Sequence, residues 1–210
     1  MATYRSLVVV LALLAPADQP AAQSADQPAD RPVAAFACRA DTKFGKHTVS
    51  LRQGVDAQAP VTVPANTRFT IAVHAQQGTL PTEIKGFKLQ EVRDLTLRIP
   101  VPANAAYLSA TLIGGSGLNS SPAVQLEGNT AVVKVAGPIP GGATFQLPTL
   151  SIRLKSGHAG SAIETKLKGT SYDDPGLTLT AKIKWKFIST TAPVACYPNP
   201  NPALTTTSIR

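Results

Sequence analysis

From Leu177 to Phe187 the chain alternates without a break. Leu177, Leu179, Ala181, Ile183, Trp185 and Phe187 hold one parity, and Thr178, Thr180, Lys182, Lys184 and Lys186 hold the other. Successive side chains of a strand point to opposite faces, so a period of two specifies one apolar and one wet face. Burying the apolar parity removes large side chains from water, about 150–250 Å² for each aromatic. The opposite choice would bury three ammonium groups at several kcal/mol each without partners. The sequence therefore predicts that Trp185 and Phe187 are inside with Ile183. It also predicts that Trp185→Ala costs about 3–5 kcal/mol, whereas changing Lys182, Lys184 and Lys186 together to Gln leaves stability nearly unchanged.

The same spacing recurs along the chain: Val49 and Leu51; Phe69, Ile71 and Val73; Leu95, Leu97, Ile99 and Val101; Ala131, Val133 and Val135. Ala106, Leu108, Ala110 and Leu112 alternate in turn with Tyr107, Ser109, Thr111 and Ile113. Strict alternation is the mark of antiparallel sheets. Gly and Pro punctuate the runs, at Gly114–Gly117, Gly137-Pro138, Pro140-Gly141-Gly142, Ser156-Gly157 and Asp173-Asp174-Pro175-Gly176. Gly128-Asn129 suits a two-residue hairpin. Only Leu80–Gln90 has the make-up of a short helix, with Pro81 in its first turn. With 18 Pro and 15 Gly, a long helical protein is excluded. The expected fold is all-β, an antiparallel immunoglobulin-like β-sandwich of roughly eight to ten strands; a closed barrel uses the same alternation. Aromatic residues are only 5%, too few for the girdles of an outer-membrane barrel.

Ahead of these strands, Ser6–Leu14 is a continuous apolar run after Arg5, followed by Ala15-Pro16-Ala17. That is the order of a secretory signal, and the run falls short of the roughly 20 residues a bilayer span needs. The expected organisation is a signal peptide over 1–17 (or to a site near Ala22), a Pro/Ala/Gln-rich linker over 18–32, a sandwich over 33–198 and a flexible tail over 199–210. In the linker, Asp-Gln-Pro-Ala occurs twice with no apolar side chain larger than Ala, and such a stretch cannot offset its ordering entropy. No transmembrane segment is expected in the mature chain, and the expected location is extracellular or in the cell envelope.

The chain has two cysteines, Cys38 and Cys196, near the ends of the strand-rich part. In an exported chain an even count favours a disulfide, here from the first strand to the last. Closing so long a loop is worth up to about 5 kcal/mol in the chain-entropy model. Two free thiols, or thiol chemistry, are the alternatives.

Motifs for catalysis are sparse. His47, His74 and His158 belong to no metal-ligand or nucleophile spacing, and each reads as a surface histidine. Asp173-Asp174 could act as acid and base or hold Ca²⁺, but an Asp-Asp-Pro-Gly turn needs no such role. Ser116 lacks a nucleophile-elbow frame, and the glycines around it lack the Lys-Ser/Thr of a phosphate loop. Asn119-Ser120-Ser121 matches a glycosylation acceptor. No catalytic residue, metal site or cofactor is expected. The basic residues carry more. Lys+Arg number 20 against 12 Asp+Glu, a net charge of +8. Arg153, Lys155, Lys166, Lys168, Lys182, Lys184 and Lys186 would share one face if their strands were neighbours. Such a face would attract anionic glycopolymers or lipid head groups; the plainer reading is a solvated face on which lysines block edge-to-edge aggregation. Nucleic acid is not expected, for want of aromatics interleaved on that face.

Phe36-Ala37-Cys38 after the export signal, the Pro-Ala-Asn steps at 64–66 and 102–104, and a late Cys196 together resemble the secreted β-sandwich proteins of actinobacteria that have no assigned activity. The resemblance spans about residues 33–198. It implies an immunoglobulin-like exported domain with a terminal-strand disulfide and transfers no active-site residue. Three functions follow as expectations, in order: a non-enzymatic extracellular or envelope domain that binds or supports a surface component; a carrier of small apolar or lipid molecules between the sheets; and, last, a hydrolase using His74 or the Asp173-Asp174 pair. The second requires a cavity.

Overall fold

The computed structural model describes residues 33–210; the expected signal (1–17) and linker (18–32) lie outside the described residues. Among those described there is no helix. The strands are β1 (Val33–Thr42), β2 (Gly45–Gln58), β3 (Thr62–Val63), β4 (Arg68–Ala75), β5 (Gly78–Thr79), β6 (Glu83–Ile84), β7 (Phe87–Pro100), β8 (Ala105–Ile113) and β9 (Ala123–Glu127). They continue with β10 (Thr130–Val135), β11 (Ile139–Pro140), β12 (Thr144–Phe145), β13 (Thr149–Ser156), β14 (Ala162–Thr165), β15 (Leu177–Trp185), β16 (Ile188–Pro198) and β17 (Thr205–Ile209).

Ten of these pair in the order β8-β13-β4-β2-β1-β16-β15-β7-β10-β9, every pair antiparallel. The path folds over at β2. Its first ten residues pair with β1 and its last four with β4, so one strand belongs to both layers. The change-over falls at Gly54, where the Gln76 amide donates to the Gly54 carbonyl at 2.8 Å and an added Cβ would meet Gln76 Oε1 at 2.3 Å. Sheet one is then β2-β1-β16-β15-β7-β10-β9, and sheet two is β2-β4-β13-β8. Their inner faces make a common core, with Phe36, Ile99, Val133 and Leu177 from the first against Ile71, Ile152 and Leu154 from the second. The expected all-β antiparallel sandwich is what forms. Cys38 stands directly opposite Cys196 in the β1–β16 register and the two sulfurs are bonded at 2.07 Å, tying the first strand to the last strand of sheet one.

Several expectations need correction. Leu80–Gln90 is not helical: β6 and β7 form a hairpin through Lys85 (φ 48°) and Gly86 (φ 80°), because two left-handed residues in succession suit a type I′ turn. The chain end is not a free tail. Thr205–Ile209 pairs antiparallel with β14 and parallel with β3. Thr207 and Ile209 are buried there, and the Thr207 hydroxyl donates to the Pro60 carbonyl at 2.7 Å. In β8 the alternation breaks at a bulge, with Arg153 opposite Ser109 but Leu154 opposite Tyr107. The extra residue, Leu108, is thrown outward and Tyr107 packs on the core instead. Finally, β15 ends at Trp185. Ala181 and Ile183 are buried as expected, but Trp185 is 37% exposed and Phe187, in the β15–β16 turn, is 96% exposed. The parity was right; the core stops one turn short of the hairpin.

Candidate functional site

Between the sheets runs an apolar channel of about 300 Å³, a volume at the lower end of those that hold small ligands. Its floor is Phe36, Leu177 and the Cys38–Cys196 bridge; Val73, Phe145 and Leu150 form the facing wall, and Leu80, Ile84 and Phe87 lie toward the hairpins. The space follows from side-chain size. Ala40, Ala181 and Ala192 on sheet one, with Ala75 and Gly78 on the other wall, line the channel with the smallest side chains. Sheet one also reaches further than sheet two in this direction. A second buried cluster, Leu89, Val92, Ala181, Ile183 and Ala192, lies on its inner face.

The channel's polar groups are few. His47 lines it with a buried Nε2 that has no hydrogen-bond partner, and a buried unpaired polar atom calls for an explanation. Lys85 lines it too. Beyond His47 comes an aromatic lip. Phe87 meets His47 edge-on at 5.1 Å; Phe44 meets Trp185 at 4.8 Å and Phe87 at 6.1 Å; and Lys186 Nζ lies 4.9 Å from the Trp185 ring centre.

The expected basic face does not assemble. β13 and β15 are separated by β4, β2, β1 and β16. Arg153 and Lys155 alternate with buried Ile152 and Leu154 on sheet two, whereas Lys182 and Lys184 alternate with buried Ala181 and Ile183 on sheet one. They therefore project from opposite outer faces. Lys166 pairs with Glu164 at 2.7 Å, Lys168 with Asp174, and Lys182 stands across from Glu91 at 3.8 Å. The hydrogen bond from Arg93, at 2.7 Å, holds the Glu91 carboxyl below the usual glutamate range, and Lys182 adds to this. Of the seven, Lys186 is the one that meets the lip, over the Trp185 ring.

His74 is half-buried rather than surface-exposed. It sits opposite Asp56 in the β2–β4 register, yet its Nδ1 bonds the Thr149 hydroxyl at 2.9 Å and no carboxylate bonds the ring. His158 is exposed. The Asp173-Asp174 pair is divided between two cations, Asp173 facing Arg39 at 3.6 Å and Asp174 accepting from Lys168. The Ser171 hydroxyl accepts from both of their amides at 3.2 Å, which is the geometry of a turn. Asn119 is exposed, with its side-chain amide donating to the Pro138 carbonyl at 3.0 Å. Among the described residues, no three of His, Cys, Asp and Glu gather as a metal would require.

Sequence reasoning missed the channel and its lip. A signal was present: Lys43-Phe44 and Lys186-Phe187 repeat a lysine beside an aromatic in a turn, and Phe87-Lys88 follows the Lys85-Gly86 turn directly.

No protein-family model matches the chain, and no curated protein matches it. Among solved structures, it is similar to a Corynebacterium diphtheriae protein assigned as membrane anchored, with a TM-score of 0.57 at 15% identity over 85% of this chain. The likeness is one of fold. The chain spans 37% of that protein's length. A fainter similarity, at TM-score 0.34 and 13% identity, links 73% of the chain to 54% of the Actinomyces fimbrial adhesin FimA. Another, at TM-score 0.31 and 17% identity, links 65% of it to 88% of a non-cellulosomal cohesin from Archaeoglobus fulgidus.

Proposed function

We propose that this chain is an exported domain of the cell envelope that binds its ligand without transforming it, and that the ligand is a single-chain amphiphile. The observation that carries the reading is the apolar channel between the sheets, with one unpaired histidine near its open end. An apolar chain would fill the space left by Ala181 and Ala192, and a polar end group would lie beside His47 and Lys85, supplying the partner that His47 Nε2 lacks. The export-type apolar run at 6–14 and the fold shared with a membrane-anchored protein support the envelope location. This reading promotes the carrier hypothesis, because the cavity it requires is present, over an anionic surface read by one basic face, whose members lie apart.

Native mass spectrometry of purified protein, together with displacement of N-phenylnaphthylamine fluorescence by fatty acids, tests it. Co-purified amphiphile or displaceable probe is expected. His47→Ala should weaken fatty acids more than it weakens the neutral probe. A protein that carries no lipid and takes up no probe would overturn the proposal.

A further inference from the structure

Three two-residue turns bring their tips to the same end of sheet one: Lys43-Phe44 between β1 and β2, Lys85-Gly86 between β6 and β7, and Lys186-Phe187 between β15 and β16. Their contents are unusual. Such turns favour Gly, Asn or Asp where φ is positive, yet Lys186 occupies the first central position at φ 52° with Phe187 beside it. Phe187 is 96% exposed, Ile188 49%, and Trp185 and Phe44 37% each. Exposed apolar side chains grouped in this way mark an interaction surface.

The charge around them is one-sided. Lys43, Lys46, Lys85, Lys88, Lys184 and Lys186 lie at this end, against Asp41 and Glu83. None of the six forms an ion pair among the described residues, and Asp41 is turned to Arg39 at 3.6 Å. Lys88 stands between Glu83 on β6 and Lys184 on β15. Glu83 makes no ion pair with it, and the Lys88–Lys184 pairing is a like-charge one that weakens a sheet. An anionic partner would relieve it.

We infer that this hairpin end docks on the surface of an anionic lipid bilayer. Trp185 enters the head-group region, where its amphipathic ring is favoured. Phe187, Ile188 and Phe44 bury apolar surface at the acyl boundary beside it, and the lysines reach the lipid phosphates along flexible apolar stems. A hydrated anionic glycopolymer would satisfy the lysines but would offer Phe187 and Ile188 nothing apolar to bury against. A bilayer supplies both. The inference goes beyond the channel reading, because docking needs none of the channel's interior.

Trp185 is the sole tryptophan and so reports the tip directly. Its emission should shift to the blue with vesicles of phosphatidylcholine plus phosphatidylglycerol, should not shift with phosphatidylcholine alone, and should revert on adding salt. Phe187→Ser, at a side chain that packs against almost nothing, should keep the parent's thermal midpoint and lose co-sedimentation with those vesicles. Lys184→Gln and Lys186→Gln should each weaken binding by roughly five-fold. Ala192→Leu, which alters only the channel, should bind vesicles as the parent does. The inference is overturned by an absent shift, by equal binding to neutral vesicles, or by tip variants that bind unchanged. It is overturned equally if soluble poly(glycerol phosphate) produces the same shift, since the surface would then read a polymer.

Discussion

Ala181 stands directly opposite Ala192 across the β15–β16 pair, and both face the channel. Two methyl groups at neighbouring positions on an inner face leave unfilled the room that a leucine would occupy. Ala192→Leu should therefore add buried apolar surface without a clash, at about 0.8 kcal/mol for each methylene that finds space. The expected outcome is a higher urea midpoint together with lost binding of an apolar probe. A fall of about 1–3 kcal/mol, the usual cost of overpacking, would show that the wall is closed at this point.

Trp185 and Phe187 invite the opposite test. Because Trp185 is partly exposed and Phe187 almost wholly so, Trp185→Ala should cost about 1 kcal/mol and Phe187→Ala under about 0.5 kcal/mol. Ile99→Ala, at a fully buried position, should cost about 2–5 kcal/mol. Urea unfolding of the three variants checks the ranking, and a Trp185→Ala cost as large as that of Ile99→Ala would contradict the exposed lip.

Ile209, on β17 of the small β14-β17-β3 sheet, is buried as part of the main hydrophobic core. Ile209→Ala should therefore behave as a core truncation, losing about 2–5 kcal/mol. Proteolysis should leave residues 205–209 intact in the folded protein. Rapid trimming of this segment from native protein would argue against its pairing.

Both cysteines are buried, so the disulfide should resist reductant until the protein unfolds. Cys38→Ser with Cys196→Ser should lower stability by about 4–5 kcal/mol in the chain-entropy account. Thiol labelling with and without urea, and calorimetry of the double variant, measure the two effects.

Asp174 gives a pH dependence. The hydrogen bond from Lys168 holds its carboxyl below the usual aspartate range. A depressed pKa in the folded state stabilises the fold at pH above the unfolded value, and that contribution is lost as pH falls through the folded value. Asp174→Asn should accordingly be less stable than the parent at neutral pH and converge with it in acid. Thermal midpoints across the acid range would show this, and a gap that stays constant at every pH would refute it.

Strand identity was legible because burial of one parity acts through the nearest neighbours along the chain, as in Phe69, Ile71 and Val73. What was not legible depended on partners distant in sequence. The bulge at Leu108 exists only relative to β13, and β17 holds its place only because β14 and β3 present edges to it. Whether lysines on β13 and β15 share a face depends on strand order, which alternation does not encode. The channel was hidden for a related reason: Ala181 and Ala192 read as ordinary small strand residues until their register sets them side by side.

The Cys38–Cys196 bond has a mechanical consequence. It joins positions 158 residues apart in sequence, so tension applied to the segments flanking the pair passes from sulfur to sulfur and bypasses the chain between them. Pulling would lengthen only what lies before Cys38 and after Cys196. Apart from Phe36, which precedes Cys38, the channel lining and the hairpin tips sit within the bypassed loop, and they would keep their shape under a load sufficient to strip β17 from its neighbours.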